Sequence, residues 1–157
     1  MTQETHPLLH GFAPPLKTES DFINIVRGEG CLVWDDQDNK YIDSMANLWL
    51  CQIGHGRTEV IEAVTKQMKT LEAYNIFDPF TNEPAAKLAE MVAERSPHPE
   101  GRVFLSCSGS EAVDTALKLA RLYPQLCGVN EKQIIVRRTN GYHGTNFGGT
   151  RAQGIAP

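Results

Sequence analysis

The sequence predicts an α/β fold in which a small antiparallel region precedes the start of a larger domain with a mainly parallel sheet. Short apolar runs separated by strong turn signals fill residues 23–43. Two amphipathic segments with helical spacing follow, at 59–71 and from about residue 82. An apolar run, a helix-patterned segment and a second apolar run then occur in the order of a βαβ unit. With 157 residues, the chain is long enough to form one hydrophobic core.

The N-terminal region predicts an extended arm followed by three short antiparallel strands. Residues 1–20 contain several prolines and show little periodicity, which is typical of an arm. Polar turns at 27–30 and 35–39 then separate apolar runs, as in hairpins. The predicted strands are 23–26, 31–34 and 40–43.

Two helices are predicted next. Thr58 is a plausible N-cap for a helix over 59–71, because apolar residues recur there at helical spacing. A second helix begins near Asn82, with Pro84 in its first turn, and ends in a proline-rich stretch at 96–101.

The βαβ unit is predicted from a strand at 102–107, a helix over 111–123 and a buried strand at 134–136. We therefore expect residues 1–57 to form an N-terminal arm and small-domain segment. Residues 58–157 are expected to begin a large domain that is incomplete.

Composition excludes several classes of function. The net charge is −4 with no basic block, so nucleic acid is not expected as a partner. No apolar run reaches the length of a membrane span, and the N-terminus does not resemble a secretory signal. The four cysteines lack zinc-ligand spacing, so we expect free, mostly buried thiols in a reducing cytoplasm and no metal site.

The turn Ser108-Gly109-Ser110 stands between an apolar run and a helix-patterned segment. Free backbone N–H groups and the positive end of a helix dipole meet at such a turn, and a phosphate fits there. The alternative is an ordinary turn with a serine N-cap. The sequence around it lacks GxGxxG and the first glycine of GxSxG, and the later glycine-rich stretch lacks the lysine of a P-loop.

A second polar turn, Gly141-Tyr142-His143-Gly144, follows the last apolar run. Tyr142 is either a rim residue that packs on its own loop or a stacking platform for a flat ring. His143 is a candidate acid or base, although loop histidines more often bond backbone or solvent. Farther upstream, Trp49 either belongs to the core or walls an apolar pocket.

Three motifs in order carry a family resemblance: YIDSMANLWLCQIGHGR, VFLSCSGSEAVDTALKLAR and GYHGTNFGG. Together they resemble the N-terminal part of class III (omega-type) aminotransferases, which belong to the fold-type I superfamily dependent on pyridoxal 5'-phosphate. The resemblance covers approximately residues 8–157. It argues against an ordinary small α/β domain.

The resemblance implies roles for particular residues. Gly109 and Ser110 would hold the phosphate of pyridoxal 5'-phosphate, Tyr142 would stack on its ring, and His143 would complete that motif. Trp49, Phe12 and Phe77 would line the substrate pocket, with an amine or amino acid as donor and a keto acid as acceptor. The family also implies a homodimer with active sites between two subunits.

The same resemblance implies that catalytic groups are absent. No lysine of the sequence lies in a family-like Schiff-base context, and no aspartate follows the Tyr142 turn. We therefore expect a truncated aminotransferase that is inactive by itself; the alternative is a non-catalytic binding or dimerisation fragment. In the family, later strands lie between the two strands of the βαβ unit. We therefore expect unpaired strand edges and an aggregation-prone product.

Overall fold

A computed structural model describes residues 5–155; the first four residues of the predicted arm and the last two residues of the chain lie outside that range. The chain divides into two compact units, of which the first ends at Ala73 and the second begins at Tyr74. The boundary expected between residues 57 and 58 stays a prediction. The elements are η1 (Glu19–Asp21), β1 (Ile25–Glu29), β2 (Leu32–Asp35), β3 (Lys40–Ile42), α1 (Ala46–Trp49), α2 (Thr58–Thr70), α3 (Glu83–Arg95), α4 (Gly109–Leu126) and α5 (Phe147–Ala152).

The first unit contains a three-stranded antiparallel sheet in the order β1-β2-β3. Gly28 pairs with Val33, and Trp34 pairs with Lys40, so both connections are tight hairpins. The predicted antiparallel region is confirmed, with strand bounds displaced by up to three residues.

Asp35 fixes the second hairpin turn from its interior. Its carboxylate is buried and accepts hydrogen bonds from the backbone N–H groups of Gln37 (3.0 Å) and Asn39 (2.8 Å). The Asn39 side chain (3.0 Å) and the Tyr41 hydroxyl (2.8 Å) also donate to it. These hydrogen bonds hold the pKa of Asp35 below its usual range because they favour the charged form. The bond from the Asn39 side chain has the largest effect.

The short segment α1 is a left-handed turn rather than a right-handed helix. All four of its residues have positive φ angles, from +47° at Ala46 to +79° at Trp49. Such angles are costly for residues with a Cβ. The carboxylate of Asp43 accepts the backbone N–H of Asn47 at 2.8 Å and stabilises the turn. No pattern in the sequence predicts this turn.

The longer helices follow the predictions, with one correction at an N-cap. Thr58 is already helical in α2 and Arg57 occupies the cap position, so the predicted Thr58 cap is wrong. The predicted start of α3 is confirmed, because the Asn82 side chain accepts the backbone N–H of Ala85 at 3.0 Å. Helix α4 is longer than predicted at both ends.

The strands predicted at 102–107 and 134–136 are not formed in the described chain. Both segments lack regular secondary structure, and the only hydrogen-bonded sheet within residues 5–155 is β1-β2-β3. A strand requires a neighbour that accepts and donates its main-chain hydrogen bonds, and no described segment pairs with either run. Most of their apolar side chains stay exposed, with Phe104 at 70% and Val136 at 90%, whereas Val103 and Leu105 are half-buried.

Apolar burial is slight throughout the described chain. No apolar side chain of residues 5–155 is buried, although α2, α3 and α4 each have an amphipathic pattern. The apolar faces that would form a core are therefore present but uncovered.

Candidate functional site

The N-terminus of α4 presents two backbone N–H groups with no acceptor in the part of the chain that the structure describes. Ser108 is the N-cap, and its Oγ accepts the N–H of Glu111 at 3.2 Å. The Glu111 carboxylate accepts the N–H of Cys107 at 2.9 Å. The N–H groups of Gly109 and Ser110 are left over. The space where a Gly109 side chain would lie is open, so an anion can approach both donors.

The chain that carries Tyr142 and His143 forms a closed loop. Gly154 donates its backbone N–H to the carbonyl of Gly141 at 2.8 Å, and Asn140 donates to the carbonyl of Gly154 at 3.3 Å. These bonds join the two ends of the segment 140–154, which we call the Tyr142 loop. The short helix α5 lies within this loop.

The Tyr142 loop lies directly against the first turn of α4. Thr145 donates its backbone N–H to Ser110 Oγ at 3.0 Å. Gly144 is buried, with φ +99°, and a Cβ added there would lie 2.6 Å from Ser110 Oγ and 2.7 Å from Ser110 Cα. Only glycine fits both that backbone conformation and that close approach.

Asp114 joins α4 to the loop at a second point. Its carboxylate accepts the backbone N–H groups of Gly148 (3.3 Å) and Gly149 (2.8 Å) in the first turn of α5. A side chain on Gly149 would overlap the carbonyl oxygen of His143. Asp114 therefore caps α5 from a different helix and stabilises the loop against α4.

Four of the sequence-predicted site residues belong to this one assembly. Gly109 and Ser110 start α4, and Tyr142 and His143 lie in the loop that contacts it. The Tyr142 side chain is 58% exposed, so its ring is available to a ligand. His143 is half-buried, and its ring lies beside Gly141. Asp114 was not predicted from the sequence, because its contacts with Gly148 and Gly149 link residues too far apart for any local pattern to indicate them.

The predicted substrate-pocket residues are distributed differently. Phe77 lies in the second unit and is 82% exposed; it lines an open apolar groove of about 540 Å³ with Phe80 and Phe104. Phe12 and Trp49 lie in the first unit and are also exposed. Trp49 ends the left-handed turn. Its proximity to the four predicted cofactor-binding residues stays a prediction.

Two kinds of feature are absent from residues 5–155. None of the helices described is long and apolar enough to cross a bilayer. Within the same range, no group of three or more histidine, cysteine, aspartate or glutamate side chains is arranged to hold a metal ion.

Comparison with known proteins gives consistent matches. The family model for "Aminotransferase class-III" matches residues 15–152. The putrescine–pyruvate aminotransferase of Pseudomonas aeruginosa is 39% identical over 131 residues, which are 83% of this chain and 29% of that protein. The beta-alanine–pyruvate aminotransferase of the same organism is 40% identical over an equal span, with the same shares of each chain.

Solved structures agree with the sequence matches. The omega transaminase of Pseudomonas jessenii, solved in complex with PMP, matches with a TM-score of 0.87 and 34% identity. The match covers 94% of this chain and 33% of that one. The chain thus spans about a third of the length of the proteins it resembles.

Proposed function

The chain belongs to the class III aminotransferase family, and on that premise we propose that α4 and the Tyr142 loop bind pyridoxal 5'-phosphate. Four residues would form the cofactor site: Gly109, Ser110, Tyr142 and His143. The observation that carries the proposal is the contact between Thr145 and Ser110, which holds the loop at the free N–H groups of α4. The structural matches also confirm the predicted fold class, the N-terminal part of a fold-type I transferase.

The donors and the shape of this site fit a phosphate monoester. The N–H groups of Gly109 and Ser110 point out of a helix N-terminus, where the dipole favours negative charge. Charge-assisted hydrogen bonds of this kind are roughly twice as strong as neutral ones. The absence of a side chain on Gly109 leaves room for the phosphate oxygens. We assign phosphate binding to Gly109 and Ser110 on these grounds.

Tyr142 would bind the ring of the cofactor. Its exposed side chain stands on a loop whose ends are bonded together and whose middle is attached to α4 at Ser110 and Asp114. A rigid aromatic side chain loses little conformational entropy when it stacks on another ring. His143 would orient the loop, since its carbonyl oxygen lies against Gly149.

The chemistry that this cofactor supplies when bound is an aldehyde for condensation with an amine and a ring that withdraws electrons. The residues of this chain would hold and orient it. In the complete form of the enzyme, the activity we propose is transfer of an amino group from an amine or amino acid to a keto acid. The names of the relatives that act on putrescine or beta-alanine with pyruvate support this substrate class.

We also propose that the protein is cytoplasmic and that its complete form is a homodimer. All four cysteines are free thiols, as reducing compartments keep them, although the expected burial is wrong: Cys31, Cys107 and Cys127 are exposed and Cys51 is half-buried. Large exposed aromatic side chains such as Phe12, Trp49 and Phe77 favour burial against further protein surface. These three residues are our candidates for the substrate pocket.

The test compares two ligands that lack the aldehyde, so that lysines of the surface do not react with them. Calorimetric titration of the full chain should give tighter binding of pyridoxine 5'-phosphate than of pyridoxine. Ser110→Ala should weaken binding of the phosphorylated ligand by about tenfold, because the variant loses the Oγ that holds Thr145 and that can donate its own hydrogen to the phosphate. Ser96→Ala, the same change at the end of α3, is the matched control. Equal affinity for the two ligands would contradict the proposed site.

A further inference from the structure

Three side chains of the first unit form a linked cluster that the proposed cofactor site does not use. Cys51 Sγ lies 3.6 Å from His55 Nδ1, and His55 Nε2 lies 2.8 Å from Asp43 Oδ2. The imidazole and the carboxylate are largely buried, and Cys51 is half-buried. Cys51, His55 and Asp43 are therefore arranged as a nucleophile, a base and a group that orients the base.

The imidazole of His55 is fixed by its backbone and by its packing. His55 and Gly30 exchange two main-chain hydrogen bonds, of 2.8 and 3.0 Å, in an isolated antiparallel bridge. The ring packs on Gly28, where an added Cβ would come within 2.7 Å of the His55 Cγ. The ring is thereby positioned without any contribution from a ligand.

Asp43 decides which ring nitrogen carries the hydrogen. The hydrogen bond with His55 holds the pKa of Asp43 below its usual range, and the hydrogen bond from the backbone N–H of Asn47 adds to this effect. An ionised carboxylate only accepts hydrogen bonds, so Nε2 of His55 donates to it. The lone pair of Nδ1 then faces the thiol of Cys51 and can accept its proton.

We propose that Cys51 is a nucleophilic modification site, activated by His55 and Asp43, that reacts with peroxides. In the reaction, His55 accepts the proton of the thiol, and the sulfur attacks one oxygen of hydrogen peroxide. An S–O bond forms as the O–O bond breaks, and the departing hydroxide takes the proton from the imidazolium to give water. The sulfur is oxidised to a sulfenic acid, and the peroxide is reduced.

The chain contains its own controls for this reaction. Cys31, Cys107 and Cys127 are exposed, and none of them is hydrogen-bonded to a histidine within residues 5–155. A thiol that owed its rate to accessibility alone would react more slowly at Cys51 than at these three. Activation by an adjacent base predicts the opposite order, because the thiolate is the reactive form.

The experiment exposes the full reduced chain to dilute hydrogen peroxide, traps sulfenic acid with dimedone and quantifies each cysteine peptide by mass spectrometry. Cys51 should be labelled about tenfold faster than the other three, a comparison within one protein that needs no variant. Equal or slower labelling of Cys51 would overturn the proposal.

Two variants separate base catalysis from local packing. His55→Ala should reduce the Cys51 rate to that of the other thiols, and free imidazole added to this variant should restore part of it. Asp43→Asn should give an intermediate rate. Loss of the rate in His55→Ala without any rescue by imidazole would assign His55 a structural role and contradict the proposed proton transfer.

Discussion

The sheet of the first unit and the apolar runs of the second unit differ in where their hydrogen-bonding partners come from. Each strand of β1-β2-β3 pairs with its neighbour along the chain through a tight turn. The runs at 102–107 and 134–136 are also predicted as strands from their apolar residues but have no partner in the described chain. A hairpin requires only local sequence, whereas a parallel sheet requires strands brought together over long separations.

The same difference between local and long-range contacts applies to the Tyr142 loop. The Tyr142 loop keeps its shape next to an unpaired run because its contacts are made to α4, through Ser110 and Asp114. The site therefore depends on a few polar contacts across about 35 residues rather than on a sheet beneath it.

The largest expected effect is in amide hydrogen exchange. Amides bonded within β1-β2-β3 should exchange about 100-fold more slowly than those of 103–106 and 134–136, which lack acceptors. Exchange followed by mass spectrometry of peptides from the full chain gives both rates in one sample. Equal protection of the two sets would mean that the runs are paired in solution, and the contrast would fail.

Gly144→Ala should have the next largest effect. The added methyl group meets Ser110 at less than van der Waals distance, and the positive φ angle disfavours any residue with a Cβ. Affinity for pyridoxine 5'-phosphate should fall by at least about tenfold.

Gly11→Ala is the control for that substitution, because nothing lies within 4 Å of its added Cβ. Calorimetric titration of both variants provides the measurement. Unchanged affinity in Gly144→Ala would show that the loop binds without its contact with α4.

Asp114→Asn should weaken the same binding by roughly threefold, since the amide keeps one acceptor oxygen and loses the charge. Exchange at 147–149 should rise in parallel, because the N–H groups of Gly148 and Gly149 lose part of their cap. Asp38→Asn, which alters an exposed pair with Arg27, serves as the control and should change neither. Faster exchange in the control alone would contradict the role given to Asp114.

The smallest effect is expected in how the stability of the sheet depends on pH. The pKa of Asp35 is lower in the folded state than in the unfolded state, so its ionised carboxylate stabilises the fold. This stabilisation is complete above the pKa of the unfolded state, about 3.9, and is lost as the pH falls through the pKa of the folded state. Urea unfolding in a Trp49→Phe background, followed by Trp34 fluorescence, should show stability falling below about pH 4.

Asp35→Asn should flatten that pH dependence, although only in part because Asp43 also has a lowered pKa. Asp36→Asn is the control, since its one side-chain partner is the exposed Asn24. A slope that is unchanged in Asp35→Asn would contradict the role assigned to this carboxylate.

Local signals made much of the fold predictable from the sequence. The polar turns located the hairpins, and Asn82 with Pro84 located the start of α3 within one residue. The extension of α4 through Pro124 was not predictable from the breaker rule, which would end the helix earlier. The left-handed turn at Ala46–Trp49 depends on Asp43, and no propensity indicates it.

The candidate site was predictable in its residue types but not in its contacts. Serine and glycine at the start of a helix indicate an anion site, and an aromatic residue in a later turn suggests a stacking partner. The bonds from Thr145 to Ser110 and from Gly149 to Asp114 each span 35 residues. No periodicity reports a contact of that kind, so Asp114 was found only in the structure.

The central claim is that the first turn of α4 and the Tyr142 loop form one phosphate site. Titration of the ¹⁵N-labelled chain with pyridoxine 5'-phosphate, followed by NMR, tests it residue by residue. We expect the amide signals of Gly109, Ser110 and Thr145 to shift together with one dissociation constant, and pyridoxine alone to move them little. Shifts confined to other residues, or none at these three at saturating ligand, would contradict it.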